Sequence, residues 1–268
     1  MSGRFTILGC GSSGGVPRVA QGWGACNPAN PRNRRRRCSA LVERFSDGGA
    51  TRALIDVSPD LRMQLLDADV RALDGVIMTH PHADHMHGVD DLRPMVLATQ
   101  KLVDIYMDGA TSDVMRRTFS YVFQTPPGSN YPPMLRETRV AAGERFAIMG
   151  PGGALNALPF ALTHGEISAL GFRIDALAYT PDVSDIPEAS VGALENLDVW
   201  IIDALRYRRH PSHFSVEEAL AWIERLKPKR ALLTNLHTDL DFDELSQRLP
   251  PHVSPAYDGL AIEFDETA

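Results

Sequence analysis

Short apolar runs, alternating or unbroken, set the pattern from the start of the chain. "RFTILGCGSSGGVP" reads as a strand running into a glycine loop, and "SALVERF" and "RALIDVS" flank "SDGGAT" as a hairpin-like strand pair. Leu61, Leu65 and Leu66 recur at helical spacing in "PDLRMQLLDADV", and "LDGVIMTH" is a short buried strand. "GVDDLRPMVLAT" predicts a helix with Pro94 near its first turns, "LVDIYMDG" a strand, and "TSDVMRRTFSYVF" a helix with Thr111 or Ser112 as N-cap. "QTPPGSNYPPML" holds four prolines and a glycine, which predicts a loop serving as lid or insertion. Strands follow in "ETRVAAGERFAI", "LNALPFALTHG", "ALGFRIDALAYTPD" and "LDVWIIDAL". "SVEEALAWIERLKPKRALLTNLH" is a helix and then a strand, with Ser215 followed three residues later by Glu218 as in a capping box. "VSPAYDGLAIEF" closes with a strand.

Strands come first, then helix, then strands again. This is not steady βαβα alternation, and it predicts an α/β fold of two sheets covered by helices, a four-layer αββα sandwich. A chain of 268 residues, 44% hydrophobic and 23% charged, has room for a large core, and residues 1–268 are expected to form one domain. No run of 18 apolar residues marks a membrane span. The N-terminal apolar stretch is short and runs into glycines, so it reads as a strand rather than a signal peptide. Cys10, Cys26 and Cys38 are too few and too scattered for a disulfide framework, and a cytoplasmic location is expected. The net charge of -7 argues against general nucleic-acid affinity. An anionic substrate would then be held by metal ions or local arginines.

Several features look chemical and have plainer readings. Gly9, Gly11 and Gly14 match G-x-G-x-x-G after a strand, but Val16-Pro17 breaks the helix that a dinucleotide site requires. The plainer reading is a turn in which glycines allow close backbone approach. Arg32 to Arg37 contains five arginines. It reads as a solvated strand edge with salt bridges, or as a phosphate-facing patch in which only alternate side chains share a face. His87, His210 and His252 read as surface or core histidines.

The dense cluster lies in "THPHADHMHG". A metal site, a proton-handling site and chance are the readings to weigh. His80 and His82 are two apart at a strand end, so both imidazoles point the same way. Asp84 and His85 follow across a turn, at a helix start. Imidazole nitrogen and carboxylate oxygen suit zinc, and a catalytic ion keeps a position open for water. Four ligand-type residues in six are too many for one such ion and enough to begin two sites. His164, Asp182 and His237 each follow a predicted strand and are the candidates to complete them.

The motif "THPHADH", His164, Asp182 and the first glycine loop resemble the metallo-β-lactamase superfamily in identity and order. "NRRRRCSALV", "FQTPPGSNYPP", "YTPDVSDIPE" and "HPSHFSVEEALAWI" look like its phosphodiesterase branch, near phosphoribosyl cyclic phosphodiesterases and further from ribonuclease Z. The resemblance implies that His80, His82 and His164 hold one divalent ion. Asp84, His85 and a C-terminal histidine would hold a second, with Asp182 bridging. It places His213 over the substrate as phosphate stabiliser or general acid, and it implies a homodimer. The family's last metal histidine falls about where Asn235 lies. His237, two residues on and so on the same face of an extended strand, is assigned to that place. Gln21, Trp23 and Thr238 stand where relatives carry ligands of a structural zinc, leaving only Cys26, so no such zinc is expected.

The expected function is hydrolysis of a small cyclic or nucleotide-like phosphodiester. Two divalent ions, zinc or manganese, would activate water and neutralise a non-bridging oxygen. Asp84 would orient or deprotonate that water, and His213 would protonate the leaving oxygen or stabilise charge. The alternatives are a thioesterase or lactamase, a ribonuclease, and a non-catalytic cofactor carrier. Against a ribonuclease, the segment 99–133 is too short to be an arm that grips tRNA.

Overall fold

The structure is a computed structural model and describes residues 2–265. Along the first half run β1 (Ser2–Gly9), β2 (Ser39–Ser46), β3 (Gly49–Ile55), α1 (Leu61–Asp67), β4 (Gly75–Ile77), α2 (Ala83–Met86), α3 (Arg93–Thr99), β5 (Val103–Met107), α4 (Gly109–Thr118) and β6 (Leu135–Arg139). The second half holds β7 (Phe146–Gly150), β8 (Gly153–His164), β9 (Ile167–Ile174), β10 (Leu177–Thr180), α5 (Glu188–Val191), β11 (Val199–Asp203), α6 (Val216–Leu226), β12 (Arg230–Thr234), α7 (Phe242–Arg248), β13 (Val253–Pro255) and β14 (Ala261–Asp265). They form two seven-stranded sheets, ordered β14-β1-β2-β3-β4-β5-β6 and β13-β12-β11-β10-β9-β8-β7.

The layering follows from the two-residue period of a strand. Val42, Ile55 and Ile77 point inward, where they meet Phe172, Tyr179, Ile201 and Leu232 of the other sheet. Their neighbours Leu41, Leu54 and Val76 point outward onto Leu61 and Leu65 of α1, Met95 of α3 and Met115 of α4. In the second sheet Trp200, Ile202 and Leu233 point outward onto Ala219 and Ile223 of α6 and Leu245 of α7. Three apolar cores between four layers make the αββα sandwich. Both faces of each central strand are buried, which is why these strands read as unbroken apolar runs.

In the first sheet β3, β4, β5 and β6 are parallel, as are β10, β11, β12 and β13 in the second. Ligand sites in such sheets gather beyond the carboxyl ends of parallel strands. Here the two sheets are tied at that edge, because Leu170 of β9 donates its backbone N–H to the carbonyl of Thr79, just past β4, at 2.9 Å.

Two local expectations change and a third holds. The helix α4 begins earlier than its pattern suggested, and its cap is Asp108, whose carboxylate accepts from the Thr111 N–H at 2.7 Å. The arginine run is a solvated edge with salt bridges except at Arg35, and it is not one patch. Arg35 is buried and donates to Asn33 Oδ1 at 3.2 Å and to the His237 carbonyl at 3.4 Å. Arg36 pairs with Asp67 at 2.5 Å and Arg37 with Asp60 at 2.9 Å, while Arg32 and Arg34 lie over aromatic rings. At the start of the glycine loop, a Cβ on Gly9 would sit 2.0 Å from the Arg37 carbonyl, so close backbone approach does require glycine there. Among the described residues no helix is long and apolar enough to cross a membrane.

Candidate metal centre

The loop after β4 carries His80 and His82, and the short helix α2 carries Asp84 and His85. His164 is the last residue of β8, and Asp182 lies two residues beyond β10. Donor atoms of His80, His82 and His164 lie within 4.8 Å of one another, as do those of His80, His85 and Asp182, and those of His164, Asp182 and His213. Residues 80 to 85 from one sheet thus meet His164, Asp182 and His213 from the other.

Hydrogen bonds behind the cluster fix the tautomers. The Thr79 hydroxyl donates to Asp56 Oδ2 at 2.8 Å, so at 2.9 Å from His80 Nδ1 it can only accept. His80 therefore carries its proton on Nδ1. His164 Nδ1 faces the Ser212 carbonyl at 2.6 Å, which also accepts only. Both rings consequently aim an Nε2 lone pair inward, and both converge on His82 Nδ1, at 3.0 Å and 3.1 Å. One proton on that nitrogen cannot satisfy two acceptors. A cation at the common focus of three imidazole lone pairs would satisfy all of them.

His85 is oriented the same way. Asp56, directly after β3, accepts from His85 Nδ1 at 2.7 Å and from the Thr79 N–H at 2.8 Å. His85 Nε2 then faces Asp182 Oδ2 at 3.1 Å and Asp84 Oδ2 at 3.5 Å. Burial alone would lower His85, but Asp182, Asp56 and Asp84 outweigh it and hold it well above the ordinary histidine range. Burial, then the charge of His85, pushes His80 well below. Asp182 is buried, and its Oδ2 has no partner in hydrogen-bond geometry, despite the short approach of His85. Its Oδ1 lies 3.8 Å from His164 Nε2 and 3.7 Å from His213 Nδ1. Asp182 therefore faces both groups of donors. A buried carboxylate with an unused oxygen between two sets of imidazoles fits a pair of divalent cations in chemistry and in charge.

His213, just before α6, gives Nδ1 to Asp203 Oδ2 at 2.8 Å, and Asp203 also accepts from the Val183 N–H at 3.0 Å. Asn235 Nδ2 donates to the Pro181 carbonyl at 2.9 Å and comes within 3.2 Å of His213 Nδ1. The His164, His213 and His210 rings follow one another outward, at 4.7 Å and 5.1 Å between centroids. Beside them opens a cavity of about 480 Å³ lined by Ser184, Arg209, His210, Pro211, His213 and Glu218. Its charged lining suits an anionic ligand better than an acyl chain.

Two candidates fall outside these three groups: Asp84, whose Oδ2 stays beside the cluster at 3.5 Å from His85 Nε2, and His237, which is turned away from it. Strand β12 ends at Thr234, and Asn235 takes a left-handed φ of +61°. The extended backbone that would have kept residues 235 and 237 on one face is broken there. His237 instead contacts Arg18 through Nε2 and Asp239 through Nδ1. Asp56 and Asp203 went unread in the sequence. Both close an apolar strand, in "RALID" and "VWIID", which is the placement that marked His164 and Asp182. His87 packs its ring against Phe119, away from the cluster's ligand atoms.

Residues 51–235 match the model of a family described as the beta-lactamase superfamily domain. A solved diphosphatase from the PhnP family is 33% identical, with a TM-score of 0.88, covering 98% of each chain. Zinc-bound PqqB from Methylobacterium extorquens shares the fold at 18% identity, with a TM-score of 0.72 over 97% of this chain and 99% of its own. A protein named octanoyltransferase, from Porphyromonas gingivalis (strain ATCC BAA-308 / W83), is 34% identical across 98% of this chain. The chain spans only 52% of that relative's length.

Proposed function

This chain belongs to the metallo-β-lactamase superfamily and its PhnP-like branch, and from that premise we propose that it is a dinuclear-metal phosphodiesterase. The substrate class is a small cyclic or nucleotide-like phosphodiester. A diphosphate-bridged ester is the first to test, because the 33% identical relative is a diphosphatase. The observation that carries the reading is His213, anchored by Asp203 and standing beside Asp182 at the mouth of a charged cavity.

His80, His82 and His164 would hold one ion, and Asp84 and His85 the other, with Asp182 between them. When bound, zinc or manganese supplies charge neutralisation at a phosphoryl oxygen and acidifies water toward neutral pH. Asp84, partly exposed at the edge of the cluster, orients the attacking water. Asp203 takes His213 Nδ1 and leaves Nε2 free to give a proton to the departing oxygen. Thr79 and Ser212 hold His80 and His164 in the ligating tautomer.

The name of the longer relative raises acyl chemistry as a second reading, and the charged cavity beside His213 weighs against it. Assays of the metal-loaded protein decide. Bis-p-nitrophenyl phosphate with zinc or manganese comes first, then cyclic phosphates and diphosphate diesters, with a medium-chain acyl thioester alongside. Turnover of phosphoesters alone is expected. Turnover of the thioester alone would overturn the reading.

A further inference from the structure

The glycine loop after β1 and the displaced His237 have no part in the chemistry above, yet they meet. Arg18 Nη1 lies 2.5 Å from His237 Nε2. His237 Nδ1 faces Asp239 Oδ1 at 2.9 Å, so that nitrogen carries the proton and Nε2 accepts from the guanidinium. The ring positions the guanidinium without placing a carboxylate against it. Among the described residues Arg18 has no carboxylate within ion-pair distance, unlike Arg36 and Arg37 nearby. The guanidinium rests on the loop itself, since a Cβ on Gly14 would fall 2.3 Å from Arg18 Nε. Any other residue at 14 would displace it.

The loop also offers donors. Gly15 donates to the Ser12 carbonyl at 2.7 Å, closing a tight turn, and Gly15 has a left-handed φ of +63°. Among the described residues the N–H groups of Ser13 and Gly14 make no hydrogen bond. The buried Ser12 hydroxyl has no partner either. Successive free amides on a tight glycine turn form an anion-binding concavity, and an arginine adds a planar fork of donors suited to phosphate. The loop abuts the metal centre's flank. Ser12 N–H reaches the Leu236 carbonyl at 3.3 Å, and the preceding Asn235 is the residue that touches His213.

We infer that Arg18, held by His237 on the loop Gly11–Gly15, binds the non-scissile phosphoryl group of a diphosphate substrate. This rests on the phosphodiesterase reading for the scissile group. It makes Arg18 a specificity residue, because a monophosphate ester has nothing to place there.

Direct binding to the metal-loaded protein tests it, with ADP and AMP as probes and calorimetry as the readout. The chain should prefer ADP by about tenfold or more, the scale of one charge-assisted contact. Arg18→Gln should bring the two affinities within about threefold of each other, with Arg18→Lys intermediate because it keeps charge without the fork. His237→Phe should weaken the preference by freeing the guanidinium. Metal content and melting temperature identify any variant that has misfolded, and the Lys variant then carries the comparison. Equal loss of both ligands, or an unchanged preference in Arg18→Gln, overturns the inference. If the wild-type chain hydrolyses no phosphoester, the phosphodiesterase reading fails, while the binding ratio still decides Arg18.

Discussion

His213 Nδ1 and Asp203 Oδ2 are 2.8 Å apart, and both groups hold their protons more tightly than usual. Burial lifts the Asp203 carboxyl to about 7, against the pull of His213. For His213, burial acts the other way and Asp203 overrides it, raising the imidazole to about 9. The two titrate as a pair, and Asp203 shifts His213 toward its protonated form. That is the direction a proton donor to a leaving alkoxide needs.

Replacing His213 with alanine should lower kcat by roughly 10²–10⁴ on an ester with an alkoxide leaving group, the usual span for a positioned acid. Nitrophenolate needs no proton, so the loss on bis-p-nitrophenyl phosphate should be smaller. Equal losses on both substrates would indicate general damage to the site, and wild-type rates on both would make His213 structural.

Asp203→Asn removes the charge that raises His213. The folded pKa of the imidazole then falls, and activity that requires the imidazolium disappears at lower pH. The alkaline limb of the kcat profile should move down by about one unit or more, since a neighbouring opposite charge typically shifts a pKa by 1–3. A profile that keeps the wild-type limb would separate Asp203 from the proton step.

Metal analysis of protein loaded at saturating zinc or manganese should approach two equivalents per chain. His237→Gln should keep both, because His237 is turned to Arg18 and Asp239. Loss of one equivalent in that variant would return His237 to the ligand set. Chelation should lower the melting temperature, since ions bound only by the folded chain stabilise it by mass action.

Asp258 offers a test away from the cluster. Its carboxylate accepts from the Arg36 N–H at 2.8 Å and the Cys10 N–H at 3.1 Å, but burial dominates and raises it to about 7. In the unfolded chain an aspartate titrates near 3.9. The folded state therefore retains a proton that the unfolded state has released. The resulting stabilisation is complete below about pH 4 and is lost as the pH rises through about 7. Denaturant unfolding at fixed metal should show wild type losing about 2–3 kcal/mol relative to Asp258→Asn from pH 5 to pH 8. Parallel pH dependence in the two proteins would contradict this.

The sequence made the core of the site readable because one strand end and one turn set His80, His82, Asp84 and His85 together, and that local geometry needs little tertiary knowledge. His164 and Asp182 were readable from their places after apolar strands. His237 was misplaced by a single backbone torsion at Asn235, and hydrophobic periodicity carries no mark of a left-handed residue. The arginine run was equally opaque. Arg35 looks like the other arginines in sequence, yet it is the one arginine of the run that is buried, because Cys26, the neighbouring Asn33 and the distant His237 carbonyl close over it. The sheets themselves followed from alternation, since the inward and outward residues of β2, β3 and β4 feed two different cores.

The final described strand, β14, pairs with β1, so Ser2 lies opposite Asp265. During synthesis β1 emerges long before β14, and the edge that β14 covers stays open until then. Residues 80 to 85 likewise leave the ribosome long before His164, Asp182 and His213. A nascent chain thus displays an exposed strand edge and half of the His/Asp cluster together; the edge closes only when β14 joins the first sheet, and the cluster only when the second sheet has docked. The candidate ligand set is consequently complete only after β8 and β10 have been made and packed against the first sheet.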